Sequence, residues 1–337
     1  MAFPGSIPSE EAQAASSLLS LFLHFSHSPY TYMWKKPWTS AEGFFIGGGL
    51  IVTGLLLELA VGGIDWSAFA WSVNIIVLAL FIASVAVMHL FRKRAYVFQF
   101  IGTPQAAVPA LAYAVILTTV MGLTRQTVNG NWINNMLTFW PFVLIYAYLS
   151  VILGTVILKR ITHPSHWLRD LSFLLNHMGL FIVLVTATLG SADMQRLKMI
   201  CATGNPEWRA VDQQDNIVEL PLAIELKRFV MEEYDDGSPK RFASDIQILT
   251  KTGKNLLATV DVNKPVQVEG WDIYQYGYDT QMGAMSSTSI LELVRDPWLP
   301  AVYTGICMML AGALFTFAHG QRRAGRTARR NTHKEEE

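Results

Sequence analysis

Residues 171–190 read LSFLLNHMGLFIVLVTATLG, an apolar run long enough to cross a bilayer, and they lead directly into a polar block, residues 191–295. A second apolar run, residues 298–317, follows that block. This order decides the fold class: an extramembrane domain hung between two membrane helices. The incoming run also carries a histidine, His177. A titratable imidazole inside hydrocarbon is expensive, so it has to be paired, hydrated or liganded.

Outward from that stretch the same signal recurs. Of the 337 residues, 51% are hydrophobic and 15% charged, and the mean hydropathy is +0.30. Apolar residues clump into four further runs, 43–62, 68–91, 104–123 and 136–158, each close to the ~20 residues a spanning helix needs. Pro104 and Pro109 fall near the start of the third of these. The sequence thus predicts a polytopic α-helical membrane protein with six transmembrane helices and an extracytoplasmic β-rich domain inserted between helices five and six. Its parts are a cytoplasmic or interfacial segment (1–42), a transmembrane hairpin with its inner loop (43–103), three helices (104–190), the outer domain (191–295), a final helix (296–318) and a basic cytoplasmic tail (319–337).

Formal net charge is zero, and the distribution carries the information. With the N-terminus inside, the inner segments hold Lys35, Lys36, Arg92, Lys93, Arg94, Lys159, Arg160, Arg169 and the tail's arginines, against Arg125 in the short outer loops. The positive-inside rule then predicts N-in, C-in topology in a bacterial inner (cytoplasmic) membrane, with residues 191–295 periplasmic. Topology and attraction to anionic membrane lipid explain the tail, so no nucleic acid is invoked as a partner. The stretch 17–25 is short and lacks a basic leader and a cleavage pattern, which reads as an interfacial helix and not a cleaved signal. Cys201 outside and Cys307 in the last span cannot easily pair, and no CxxC is present, so thiol–disulfide exchange within the chain is not expected.

From Val218 onward the pattern turns to short alternating stretches, which predict strands at 222–229, 242–250, 255–262 and 265–278. Turn residues separate them, among them Asp235-Asp236-Gly237-Ser238-Pro239 and Lys251-Thr252-Gly253-Lys254, the latter reading as a hairpin. An antiparallel sheet or sandwich follows. The block holds no histidine and no Ser/His/Asp set, so it reads as a binding or docking domain without catalytic residues. Alternation puts Tyr274, Tyr276 and Tyr278 on one strand face and Trp271, Ile273 and Gln275 on the other. Trp271 and the three tyrosines form an aromatic cluster that either packs the core or receives a partner.

Other polar residues near the spans stay open between two readings. His89, at the inner boundary of the second run, either snorkels to the headgroups or serves as a second ligand or relay. Glu58 is protonated, paired or facing a cavity. His163 and His166 sit in the loop before the His177 run, on the surface or at a point of cofactor reception. Gly47-Gly48-Gly49 predicts close helix packing.

Three stretches resemble the ResB/CcsB family of System II (Ccs) cytochrome c biogenesis proteins. They are Asn176-His177-Met178-Gly179-Leu180; then Val262-Asn263-Lys264-Pro265 with Gly270-Trp271-Asp272-Ile273-Tyr274-Gln275-Tyr276-Gly277-Tyr278-Asp279; and Val294-Arg295-Asp296-Pro297-Trp298. The resemblance spans roughly residues 104–317. It implies a CcsA-like, tryptophan-rich membrane subunit as partner, apocytochrome c as the protein served, and heme b as the cargo shared with that partner. It also implies an accessory part in a cytochrome c heme lyase or synthetase complex, with His177 matching the family's membrane histidine as a heme axial ligand. Neutral imidazole suits that role, and Phe173, Leu174, Leu180, Phe181 and Leu184 lie at helical spacing beside it. The chain departs from the family by an extra pair of spans over 43–91 and by lacking a tryptophan-rich WWD segment. Two alternatives stand beside this reading: His177 hydrogen-bonds a neighbouring helix, and the chain is a non-catalytic scaffold whose outer domain docks envelope proteins.

Overall fold

The computed structural model describes residues 34, 36–127, 130–165 and 167–335. The stretch 17–25 and His166 lie outside the described residues. Among the described residues six helices are long and apolar enough to cross a membrane: α1 (Ser40–Val61), α2 (Val73–Phe91), α4 (Pro104–Leu123), α5 (Trp140–Thr162), α6 (Trp167–Gly190) and α7 (Leu299–Glu335), the last spanning with its first part, Leu299–Ala318. A short helix, α3 (Tyr96–Ile101), lies between α2 and α4.

Local chemistry moves several helix ends away from the apolar runs. Helix α1 starts earlier than expected because Thr39 and Glu42 form a reciprocal capping box. Helix α5 begins four residues later than its run, with Pro141 in its first turn, where proline's missing N–H is harmless. Helix α6 begins four residues before its run: Asp170 accepts from the Ser165 amide at 2.6 Å and pairs with Arg160 at 2.7 Å, so charged residues complete its first turn. His177 therefore lies ten residues into α6, about 15 Å along its axis.

Close approaches hold the bundle together. Helix α1 packs on α4 at Gly47, where a Cβ would meet the Tyr113 ring, and on α5 at Gly54, where it would lie 2.6 Å from the Pro141 nitrogen. Gly49 faces open space, so the glycine triplet uses only part of its length for packing. Glu58 is buried and accepts from the Trp140 amide at 3.2 Å, capping α5 from a neighbouring helix.

Eight antiparallel strands form one sheet in the order β5-β4-β3-β2-β1-β8-β7-β6. They are β1 (Gln195–Ala202), β2 (Glu207–Val211), β3 (Ile217–Glu233), β4 (Pro239–Thr250), β5 (Asn255–Asp261), β6 (Val266–Val268), β7 (Trp271–Tyr278) and β8 (Thr288–Arg295). Strands β1, β2 and β8 were not among the expected ones, and the run 265–278 is itself a hairpin split at Glu269-Gly270. Both turn residues have positive φ (48° and 83°), the geometry of a tight two-residue connection.

The sheet curls on itself. One apolar core joins Met199 of β1, Ile224 of β3, Ile248 of β4, Val260 of β5, Ile273 of β7 and Leu291 of β8. Ser244 of β4 donates to Ser289 of β8 at 2.7 Å although three strands separate them in the sheet order. Such a contact needs the two halves of the sheet face to face.

Candidate functional site

The site is built on the α6–α7 pair. Ser172, Asn176, Gly179 and Val183 recur at three- and four-residue spacing, so they share one face of α6, and that face meets α7. A Cβ on Gly179 would lie 2.5 Å from the Gly305 carbonyl oxygen, one on Gly305 would lie 2.7 Å from that of Gly179, and Ser172 donates to the Gly312 carbonyl at 3.1 Å. On another face, Phe181 stacks on Phe81 of α2 at 6.2 Å. At 100° per residue His177 lies only 40° from Phe181, on the side of α6 turned toward α2 and away from α7, and it is half-buried there.

Its imidazole is held by its own helix. The Nδ1 lies 2.8 Å from the Phe173 carbonyl oxygen. A carbonyl only accepts, so Nδ1 carries a proton, which in the neutral ring leaves the lone pair on Nε2. The ring also stacks on Phe173 with centroids 3.7 Å apart and planes 21° apart, and Arg160 lies over that phenylalanine at 5.1 Å. A nitrogen lone pair on a ring fixed by a backbone carbonyl is the arrangement a metal-binding histidine uses. Among the described residues no three His, Cys, Asp or Glu side chains gather to hold a bare metal ion. What α6 offers a cofactor is a single imidazole nitrogen beside an aromatic ring.

His89 sits elsewhere. Its ring nitrogens lie 3.2–3.3 Å from Arg92 Nη1, and Nε2 lies 3.2 Å from Thr162 Oγ1. Arg92 reaches on to His163 at 3.3 Å. The two histidines and the arginine thus form a cluster at the ends of α2 and α5, in which both nitrogens of His89 are engaged.

The aromatic cluster of the sheet divides. Trp271 is 3% exposed and belongs to the core, whereas Tyr276 is 51% exposed and accepts from Lys198 Nζ at 2.8 Å. Tyr274 is half-buried; burial, then the neighbouring Asp272, raise its pKa. Tyr278 does not share their face. A bulge between Gln275 and Gly277 shifts the register, so Tyr278 pairs with buried Ser289 and packs against Phe229 at 5.0 Å. Strict alternation from Tyr274 is corrected by that one extra residue.

Much of the signature shared with the ResB/CcsB family is structural. Asn263 takes the left-handed backbone (φ 61°) in the turn between β5 and β6, Trp271 and Ile273 fill the core, and Gln275 donates to the Gly277 carbonyl and to Ser289, each at 2.9 Å. Asp296 caps α7, accepting from the Trp298 and Leu299 amides at 3.0 and 3.1 Å.

Sequence reading missed Asp193. Its carboxylate accepts from Trp298 Nε1 at 2.6 Å, Asn74 Nδ2 at 2.7 Å and the Trp71 amide at 2.7 Å. It thereby ties the start of α2 to the junction of α6, the sheet and α7. Burial pushes its pKa up, but the hydrogen bonds from Trp298, Asn74 and Trp71 outweigh burial and hold the carboxyl below its usual range. The available signal was positional: Asp193 and Trp298 lie just outside two antiparallel spans, at the same end. Cys201 is fully buried, and burial, with Glu207 nearby, pushes its thiol to about 12, so it is no reactive thiol at neutral pH.

Residues 165–290 match the family described as ResB-like. The cytochrome c biogenesis protein CcsB of Prochlorococcus marinus (strain NATL2A) is 28% identical over 102 residues, 30% of this chain and 23% of that protein. CcsB of Prochlorococcus marinus (strain MIT 9313) is 30% identical over 128 residues, 37% of this chain and 27% of its own. Cytochrome c biogenesis protein Ccs1 of Porphyra purpurea is 28% identical over 116 residues, 31% and 24% of the two chains. The matched stretch thus spans about a quarter of these relatives' lengths. A solved structure of the cytochrome c heme lyase CcmF overlaps 83% of this chain and 46% of its own at a TM-score of 0.36 and 11% identity, too loose a superposition to carry a shared fold. The match begins just before α6 and runs through His177 into β8, so over residues 165–290 this chain is similar to the ResB-like family and to CcsB proteins.

Proposed function

We propose that this chain is a ResB/CcsB-type subunit of a System II cytochrome c maturation complex. In this reading it takes part in moving heme outward and attaching it to apocytochrome c together with a CcsA-like membrane partner. His177 supplies one axial nitrogen to the heme in transit, and the partner supplies the other. The observation that carries the reading is the imidazole of His177: half-buried in a spanning helix, with Nδ1 committed to the Phe173 carbonyl, so that Nε2 is the nitrogen left for a ligand. When bound, heme would supply the iron; this chain's residues orient the ligand nitrogen and wall one side with Phe173.

The orientation belongs to the same proposal. Lys36, Arg92, Lys93 and Lys159 gather at the end of the bundle where α2 and α5 stop and α6 starts, whereas α6 meets the sheet at its other end. With the basic end cytoplasmic, both termini lie inside and the sheet domain outside, in the periplasm of a bacterial inner membrane. The sheet domain then serves as a docking surface, with Tyr276 and Lys198 on its exposed face.

The test is spectroscopic. The complex purified with its partner should show a heme Soret band that weakens or shifts in His177→Ala and recovers with added imidazole. His177 bonds only its own helix turn, so the variant should unfold within about 1 kcal/mol of the wild type. An unchanged Soret band removes His177 as ligand. Normal c-type cytochrome maturation after deletion of the gene removes the maturation role and favours the scaffold reading.

A further inference from the structure

A cavity of about 390 Å³ opens at the basic end of the bundle, outside the stretch matched to the ResB-like family. Its walls bring together four cations from separate places in the chain: Lys36 before α1, Arg92 and Lys93 after α2, and Lys159 near the end of α5. No carboxylate lines it, and among the described residues no ion pair involves any of the four. Lys36 bonds Gln99 at 2.6 Å and lies 4.9 Å over the Trp38 ring, while Lys159 bonds the Gly102 carbonyl at 3.3 Å. Neutral acceptors thus hold these amines converged without cancelling their charge.

Trp38 and Phe98 give the wall an aromatic part, beside Gln99, Thr103 and Thr155. The Trp38 indole Nε1 is buried and has no acceptor among the described residues. A buried N–H without an acceptor is uncommon, because leaving it unpaired costs roughly 1–3 kcal/mol. Converged cations beside the aromatic rings of Trp38 and Phe98, at the end of the spanning helices, call for an amphiphilic anion. The volume suits a headgroup, and the cavity lies where α2 and α5, two of the helices long enough to span, come to their ends.

We propose that this cavity binds the phosphate headgroup of an anionic phospholipid, clamped by Lys36, Arg92, Lys93 and Lys159. The extra hairpin of this chain, with its flanking loops, then anchors the bundle to anionic lipid, a role separate from the His177 site. Each lysine removed weakens the attraction roughly fivefold, so the pair Lys93→Gln with Lys159→Gln weakens it roughly 25-fold.

The test uses the full-length chain in detergent, titrated in turn with phosphatidylglycerol, phosphatidylcholine and inorganic phosphate while thermal unfolding and, by native mass spectrometry, retained lipid are recorded. Phosphatidylglycerol should raise the unfolding midpoint and remain bound. Phosphatidylcholine and phosphate should do neither, and the double variant should lose most of the effect. Arg94→Gln, on the same loop but outside the cavity, should keep it. Both lysines are exposed, so the variants fold, and Lys93→Gln alone provides a milder version. Equal effects of phosphatidylcholine, of free phosphate, or in the double variant overturn the proposal. So does a loss in Arg94→Gln as large as in the double variant, which would mean a diffuse charge effect.

Discussion

The Asp193 carboxylate accepts the indole N–H of Trp298 across 2.6 Å, and that bond closes the neck through which the chain passes from helix to sheet and back. The same carboxylate holds Asn74 and the Trp71 amide. Asp193→Ala leaves three donors without their acceptor, two of them on side chains packed between elements. Unfolding in denaturant should show a loss of about 2–4 kcal/mol, with Asp193→Asn losing less because it keeps an accepting oxygen. A wild-type midpoint in the alanine variant would mean that the neck does not depend on this clasp.

The acid limb of stability should carry the same signature. Asp193 has its pKa held below the usual carboxylate range, so it stabilises the fold above the ordinary value. That contribution disappears as pH falls through the lower folded value, below about pH 4. Thermal unfolding followed between pH 7 and pH 3 should therefore flatten in Asp193→Asn relative to the wild type. Parallel curves would assign the acid sensitivity to other carboxylates.

Gly179 and Gly49 make a matched pair of tests on two spanning helices. Adding a methyl at Gly179 places a carbon 2.5 Å from the Gly305 carbonyl oxygen, which forces α6 and α7 apart; Gly179→Ala should cost about 1–3 kcal/mol. At Gly49 nothing lies within 4 Å, so Gly49→Ala should be neutral or stabilise by up to ~1 kcal/mol through helix propensity. Reversal of that order in a denaturation series would contradict the seam between α6 and α7.

Cys201 offers a probe of the sheet's integrity. In a Cys307→Ala background, maleimide should fail to label the folded protein at pH 7–8 and label it readily once denatured, because the thiol is fully buried and its pKa is pushed to about 12. Rapid labelling under native conditions would show that β1 opens locally.

The helices were legible because hydrocarbon demands continuous apolar runs; even Pro109 inside α4 did not disguise the third span. Their ends were not, since Thr39, Pro141 and Asp170 set them through capping, which hydropathy does not register. Strands β1 and β8 alternate cleanly (Leu197, Met199, Cys201; Leu291, Leu293), yet each is a short stretch close to a span and outside the region from Val218 to Tyr278 where turn residues set off the alternation. The Gln275–Gly277 bulge was invisible because alternation carries no mark of one residue too many. His177 stood out as a polar residue where none is cheap. Asp193 did not, since an aspartate just beyond a helix end is ordinary until its three partners from distant segments are seen.

The β1–β8 pairing runs in unbroken register from Gln195 opposite Arg295 to Ala202 opposite Thr288, and it sits directly beyond the antiparallel α6–α7 pair. Chain enters and leaves the sheet on adjacent tracks, with only residues 191–194 and 296–298 between helix and strand. A domain carried on one tether can swivel; one carried on two short legs, pinned together by Asp193 and Trp298, resists torsion. The height and azimuth of the sheet above His177 are therefore set by the α6–α7 seam, formed by the same helix that carries the histidine. Any molecule held by the sheet meets the helix pair at a constant distance, so alignment between the two is a property of the scaffold and need not be found by diffusion.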